Sequence, residues 1–184
     1  MSLKLEELLH KSDKVVFFTG AGISTNSGIP DFRGPKGVWK TSTPIYFQDF
    51  LSSKEKRIES WERKFGNELN IQSAKPNEGH KKISEIMNMK ESFLITQNVD
   101  NLHQDSGVDE KRISELHGNA TYAKCLDCSE RYELENLKIE FLKTKEPPLC
   151  LECNGIVKTA TISFGQAMPE EEMQISQREA IKSD

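Results

Sequence analysis

Short runs of β-branched and aromatic residues alternate along this chain with longer stretches in which apolar residues recur three or four positions apart. Val15-Val16-Phe17-Phe18 lies inside a strand expected over 14–19, and Ser92-Phe93-Leu94-Ile95-Thr96 reads as a second, buried strand. Arg112 to Leu116 reads as a short strand and Thr159 to Phe164 as a later one. Leu3, Leu5, Leu8 and Leu9 predict an amphipathic first helix, ended by Ser12-Asp13. Phe47 to Leu69 reads as helical, with Trp61 and Phe65 four apart on one face as core packing. Pro76-Asn77-Glu78 is a helix-start signal, and Ile83, Ile86 and Met87 give that helix a buried stripe up to about Lys90. Pro169 to Lys182 predicts a final polar helix. The strands ending at Thr19, Thr96 and Phe164 are expected to share one sheet of an open α/β fold.

The first strand runs into Thr19-Gly20-Ala21-Gly22-Ile23-Ser24-Thr25-Asn26-Ser27-Gly28-Ile29-Pro30-Asp31-Phe32-Arg33. This reads as a strand feeding a glycine turn that opens a helix. Gly20 and Gly22 carry no Cβ to keep a diphosphate off the backbone, and the N–H groups that follow face an anion at the helix dipole's positive end. A nucleotide phosphate is the simplest partner. Thr25 stands where the dehydrogenase fingerprint needs its third glycine, and no Gly-Lys-Ser or Gly-Lys-Thr supplies a P-loop lysine, so both readings fall. Asp31, Phe32 and Arg33 add an acid, an aromatic face and a guanidinium beside the phosphate site. The breaker-rich Gly34-Pro35-Lys36-Gly37 reads as a mobile flap over a ligand.

Gln97-Asn98-Val99-Asp100-Asn101-Leu102-His103 follows the second strand at its carboxyl end, where ligand-binding groups gather in open α/β folds. Its amides and carboxylate suit a carboxamide or ribose hydroxyls, while an Asx-type helix cap accounts for Asn98 or Asp100 taken singly. His117-Gly118 follows the short strand: an imidazole takes a proton near neutral pH, and the glycine would leave room for substrate. His80, in the first turn of its helix, reads as a packing or capping residue.

Cys125, Cys128, Cys150 and Cys153 form two Cys-x-x-Cys pairs separated by 21 residues, with no cysteine elsewhere. Two such knuckles complete a tetrahedron of thiolates around one structural Zn²⁺, with no coordination position left for chemistry. A length of 184 residues suits one domain with a small insert, and a formal net charge of -4 carries no nucleic-acid footprint. No apolar run approaches membrane-spanning length, and Met1 to Glu7 lacks the apolar segment of a secretory signal. A cytoplasmic protein with neither nucleic acid nor membrane as partner is therefore expected.

The Gly-Ala-Gly-Ile-Ser…Gly-Ile-Pro-Asp-Phe-Arg segment, Gln97-Asn98-Val99-Asp100, His117-Gly118, the cysteine pairs and Phe164-Gly165 together resemble the sirtuin family of NAD-dependent protein-lysine deacylases, in order and over about residues 3–172. The resemblance implies a Rossmann-like parallel sheet with helices on both faces, plus a small inserted zinc-binding module. The large domain would take residues 1–118, the module 119–157, and the return to the large domain 158–184. NAD and an acyl-lysine protein or peptide would meet in the cleft between the two parts. Gly20, Ala21 and Gly22 would contact the diphosphate, and Asp31, Phe32 and Arg33 would belong to the cofactor loop. Gln97, Asn98 and Asp100, with Ile29, would surround the nicotinamide, with Asn98 and the general base His117 as the catalytic pair.

By the same resemblance NAD is consumed rather than recycled as a hydride carrier. Nicotinamide leaves, the acyl-lysine carbonyl oxygen attacks the ribose carbon, and His117 takes a proton through the ribose hydroxyls. The products would be nicotinamide, O-acyl-ADP-ribose and deacylated lysine. Mono-ADP-ribosyl transfer, or NAD and acyl-lysine binding without catalysis, are the alternatives. Lys158 to Ser163 and Gln166 depart from the family pattern beside the peptide groove. Val38-Trp39-Lys40 stands in place of the tyrosine and arginine of members that remove dicarboxylic acyl groups, so an uncharged acyl group, acetyl first, is expected. Family cores continue through further strands with a Gly-Thr-Ser turn, so a sheet incomplete at its C-terminus is expected.

Overall fold

Each predicted apolar run appears as a strand or helix in a computed structural model, which describes residues 2–34, 37–40, 42–66, 71 and 73–184, the side chains of 2–4 and 39 excepted. Helix α1 (Ser2–Lys11) leads into β1 (Lys14–Thr19). Past Gly20 the chain winds as a 3-10 helix (Ala21–Ser27) rather than an α-helix, closed by Gly28 at a φ of 87°. A second 3-10 turn covers Val38–Lys40. The flap over 34–37 includes Pro35 and Lys36, which lie outside the described residues. The helical stretch expected from Phe47 divides into α2 (Phe47–Ser52) and α3 (Lys54–Phe65). The division falls at Ser53, whose backbone is extended and whose hydroxyl accepts the Lys56 N–H at 3.2 Å. Residues 67–70, expected to prolong this helix, lie outside the description.

Helix α4 (Glu78–Met89) starts in a capping box formed by Asn77 and His80, and β2 (Glu91–Thr96) follows it. Then come α5 (Leu102–Asp105), β3 (Ile113–Glu115), β4 (Gly118–Cys125), β5 (Arg131–Glu133), α6 (Leu134–Thr144), β6 (Val157–Thr161) and α7 (Glu170–Ile181). Strands β1, β2 and β3 form a parallel sheet in that order, with Val16 opposite Phe93 and Thr19 opposite Thr96. A parallel sheet needs both faces covered. Leu94 packs with Met87 of α4 and with Val108, while Phe93, Ile95 and Leu116 meet Ile175 of α7. The large part is thus an α/β, Rossmann-like arrangement with helices on both faces. Leu5 and Leu8 of the α1 stripe are exposed, and Leu9 is half-buried.

The second sheet is antiparallel in the order β5-β4-β6, and it corrects the placement of the last strand. The strand expected over 159–164 runs instead over Val157–Thr161 and pairs with β4, not with the parallel sheet, whose third strand is Ile113–Glu115. The cysteines supply the reason. β4 ends on Cys125 and β6 begins just after Cys153, so gathering four sulfurs sets the two strands side by side and oppositely directed, Cys125 facing Val157. Gly118 answers to this pairing rather than to room for substrate. Its φ is 70°, and a Cβ there would stand 2.0 Å from the Ala160 carbonyl oxygen.

Helix α3 packs on this smaller sheet. Trp61 and Phe65 are core residues as expected: Trp61 is buried among Ala123, Leu137, Phe141 and Val157, and Phe65 stacks on it at 5.3 Å between ring centroids. Among the described residues, no helix is long and apolar enough to cross a membrane.

Candidate functional site

A cavity of about 900 Å³ lies between the carboxyl ends of β1 and β2 and the face of β6. Ala21, Asp31, Phe32, Arg33, Gln97, Asn98 and His117 all line it, so seven of the residues singled out in the sequence converge on one space. Gly20 and Gly22 flank Ala21 in the turn. A Cβ built on Gly22 would meet nothing within 4 Å, so the chain itself has no packing reason for glycine there. The open space beside this backbone is the cradle that an anion's approach requires.

Ile29 and Asp100 are buried behind the wall rather than on it. Asp100 accepts the Ser24 hydroxyl at 2.6 Å through Oδ2 and the Leu102 N–H at 3.0 Å through Oδ1. It therefore starts α5 and anchors the glycine turn at once. Asn98, 7% exposed, donates from Nδ2 to Ser24 Oγ at 3.2 Å. The Asp31 carboxylate accepts the Gly34 N–H at 2.9 Å, which holds the loop that carries Phe32 and Arg33. His117 Nδ1 lies 2.9 Å from the Gln97 carbonyl oxygen. A carbonyl can only accept, so Nδ1 carries the hydrogen and Nε2 keeps its lone pair for a proton.

Sequence reasoning passed over a buried polar layer beneath these residues. Ser24, His80, His103, Thr19 and Thr96 are all buried, and the rings of His80 and His103 meet edge to face at 4.9 Å. The one available signal was that Thr19 and Thr96 end neighbouring strands at equivalent positions. Burial, reinforced by the adjacent His80 and opposed by the Asp100 charge, pushes the His103 imidazole down to about 4. The unfolded chain takes up a proton near 6.5, which the folded ring refuses until about 4. Stability should therefore fall as pH drops through that window, by roughly 3 kcal/mol from this group. Urea midpoints at several pH values should show the loss, and the difference between wild type and His103→Gln should isolate it; parallel curves would contradict it.

Two lysines stand on the opposite wall, Lys64, which was passed over, and Lys158, noted only as part of a departure from the family pattern. Lys64 Nζ donates to the Ala120 carbonyl at 2.6 Å, and Lys158 Nζ donates to the carbonyls of Thr159 and Thr161. Burial lowers the pKa of both, that of Lys158 to about 8. With Arg33 and Arg63 they outweigh Asp31 among the charged groups that line the cavity, a field that suits a polyanion.

The four cysteine sulfurs lie within 4.8 Å of one another, with Cys125 to Cys153 and Cys128 to Cys150 each 3.5 Å apart. Tetrahedral thiolates on zinc stand about 3.8 Å apart and disulfide sulfurs about 2 Å, so the spacing fits a metal. The Tyr132 hydroxyl donates to Cys150 Sγ at 3.1 Å, which favours the thiolate and brings its pKa down to about 6.

The Sir2 family model matches residues 20–184. NAD-dependent protein deacetylase 1 of Bradyrhizobium diazoefficiens is 48% identical over 172 residues, which are 93% of this chain and 67% of that protein. The NAD-dependent protein deacetylase of Rhodopseudomonas palustris is 45% identical over 171 residues, 92% of this chain and 68% of its own. Among solved structures, one described as "Sir2-p53 peptide-NAD+" superposes with a TM-score of 0.81 at 31% identity, covering 100% of this chain and 72% of that one. Another, described as "Structural Basis for the Mechanism and Regulation of Sir2 Enzymes", gives a TM-score of 0.80 at 36% identity over 98% of this chain and 71% of that chain.

Proposed function

Because this chain belongs to the Sir2 family, we propose that its cavity serves NAD-dependent protein-lysine deacylation, with nicotinamide, O-acyl-ADP-ribose and deacylated lysine as products. One observation carries the reading: the glycine turn, the amide of Asn98 and the imidazole of His117 converge on a single cavity although about a hundred residues separate them. Bound NAD would supply the electrophilic ribose carbon and the nicotinamide leaving group.

The chain's own residues divide the remaining work. The backbone from Gly20 to Gly22 holds the diphosphate, and Asp31, Phe32 and Arg33 close the cofactor loop around it. Gln97 and Asn98, with Asp100 and Ile29 behind them, orient the carboxamide, Asn98 being pinned through Ser24 and Ser24 through Asp100. His117 accepts a proton at Nε2. Its Nδ1 bond to the Gln97 carbonyl keeps that nitrogen free for the task. Cys125, Cys128, Cys150 and Cys153 hold one Zn²⁺, and a closed set of four thiolates confines the metal to structure.

We assign residues 1–117 and 162–184 to the nucleotide part and 118–161, the span of the β5-β4-β6 sheet, to the zinc module in place of the expected 119–157, with α3 reaching across to pack on the module's sheet. The acyl-lysine substrate enters along Phe164 and Gln166, carries an acetyl group in preference to an acidic one, and is met in the cytoplasm.

Incubation with NAD and an acetyl-lysine peptide should release nicotinamide in step with deacetylation. Nicotinamide release that needs no acyl group would point to ADP-ribosyl transfer or glycohydrolysis, and would overturn the proposal.

A further inference from the structure

His103 lies outside the cavity wall and has no part in the chemistry proposed above, yet it is 1% exposed and tied to both strands that carry the site. Its Nε2 lies 2.9 Å from Thr19 Oγ1 at the end of β1. Thr19 Oγ1 lies 2.9 Å from Thr96 Oγ1 at the end of β2, where the two threonines face each other in register. Thr96 Oγ1 accepts the Asn98 backbone N–H at 3.1 Å.

Each hydroxyl has one proton, which fixes the direction of this chain of bonds. With His103 protonated on Nε2, the ring donates to Thr19, Thr19 donates to Thr96, and Thr96 receives Asn98 as well. Reversed, the ring's hydrogen would sit on Nδ1, a buried atom with no partner among the described residues. Thr19 Oγ1 donates its one proton to Thr96 and can only accept from the ring, so the Nε2–H tautomer holds.

We propose that His103 is a positioning residue for Asn98, acting through the hydroxyls of Thr19 and Thr96. The consequence is local and directional. Asn98 is the second residue after β2, where the sheet's own bonds no longer fix the backbone. Tying its N–H to Thr96 aims its side chain at Ser24 and the cavity. The neighbouring His80 ring closes the layer from the other side. Its Nδ1 accepts the Asn77 N–H, and its Nε2 lies 3.4 Å from Ser24 Oγ. Since Ser24 spends its proton on Asp100, His80 donates there. One histidine thus steadies Asn98 and the other steadies Ser24, the two groups that bond to each other at the wall.

The proposal rests on the reading of this cavity as the NAD site, and the test separates the two. NAD binding is measured by calorimetric titration for wild type, His103→Phe, His103→Gln and Thr96→Val. The phenylalanine keeps an aromatic ring without a donor, and affinity should drop about tenfold, the effect of one lost hydrogen bond. The glutamine keeps an amide N–H for Thr19 and should bind within about twofold of wild type. Thr96→Val should match His103→Phe, and the double variant should be no worse than either single change, because both break the same path. Nitrogen NMR of the wild-type His103 ring should show the hydrogen on Nε2, and the Asn98 amide resonance should move in both His103→Phe and Thr96→Val. Wild-type affinity in His103→Phe, or a ring hydrogen on Nδ1, overturns the proposal. If wild type takes up no NAD, the site reading fails instead, and the ring tautomer and Asn98 resonance decide the positioning role alone.

Discussion

Replacing Cys150 by serine, or removing metal with a chelator, is expected to abolish cooperative folding of the β5-β4-β6 sheet. Structural zinc in small domains contributes on the order of 10 kcal/mol of apparent binding free energy near neutral pH, which matches or exceeds the whole stability of a typical domain. The sheet itself is small: β5 is three residues long, and β4 and β6 are joined at their roots by the sulfurs themselves. Cys125 and Cys150 also belong to the core that encloses Trp61. Losing the metal should therefore reach α3 and shift the Trp61 fluorescence to longer wavelength. Metal analysis should find about one zinc per chain in the wild type, and circular dichroism should record unfolding on chelation. A metal-free preparation with an unchanged melting curve would refute the structural assignment.

His117→Ala should lower turnover by about 10²–10⁴-fold while leaving NAD affinity within a few-fold of wild type, the signature of a lost general base. The geometry argues for this split. The His117 ring bonds through Nδ1 to the Gln97 carbonyl and to no member of the buried Ser24–Asp100–Asn98 layer, so its removal takes away a proton acceptor without opening that layer. Rates with acetyl-lysine peptide, set beside calorimetric NAD affinities, measure both halves. An alanine variant with full turnover would remove His117 from the chemistry, and one that no longer binds NAD would make it a binding residue instead.

Much of the fold was legible because the signals were local. The runs at 14–19 and 91–96 carry the β-branched and aromatic residues of strands, buried in β2 and half-buried in β1, where Phe18 is exposed, and Asn77 marks the start of α4 by its side-chain bond to the Gly79 N–H. Misplacing the strand near 159 had a physical cause. Its composition suits any sheet, and the decision belongs to cysteines that pull β6 against β4 from positions far apart in sequence. Gly118 was misread for a related reason, since the carbonyl that forbids a side chain there belongs to Ala160 on the opposite strand.

The candidate site divides in the same way. Glycines at 20 and 22, the polar run from Gln97 to His103, and the paired cysteines could be recognised because residue type and spacing are local signals. The sequence alone thus displayed the paired cysteines, the glycine turn and the family. The three-dimensional structure decided which strands share a sheet, that Asp100 lies behind the wall, and that His103 reaches Asn98 through two threonines. Those outcomes depend on buried hydrogen bonds between residues about seventy to eighty positions apart. A buried donor must take whatever acceptor the packing brings to it, and packing is a property of the folded chain.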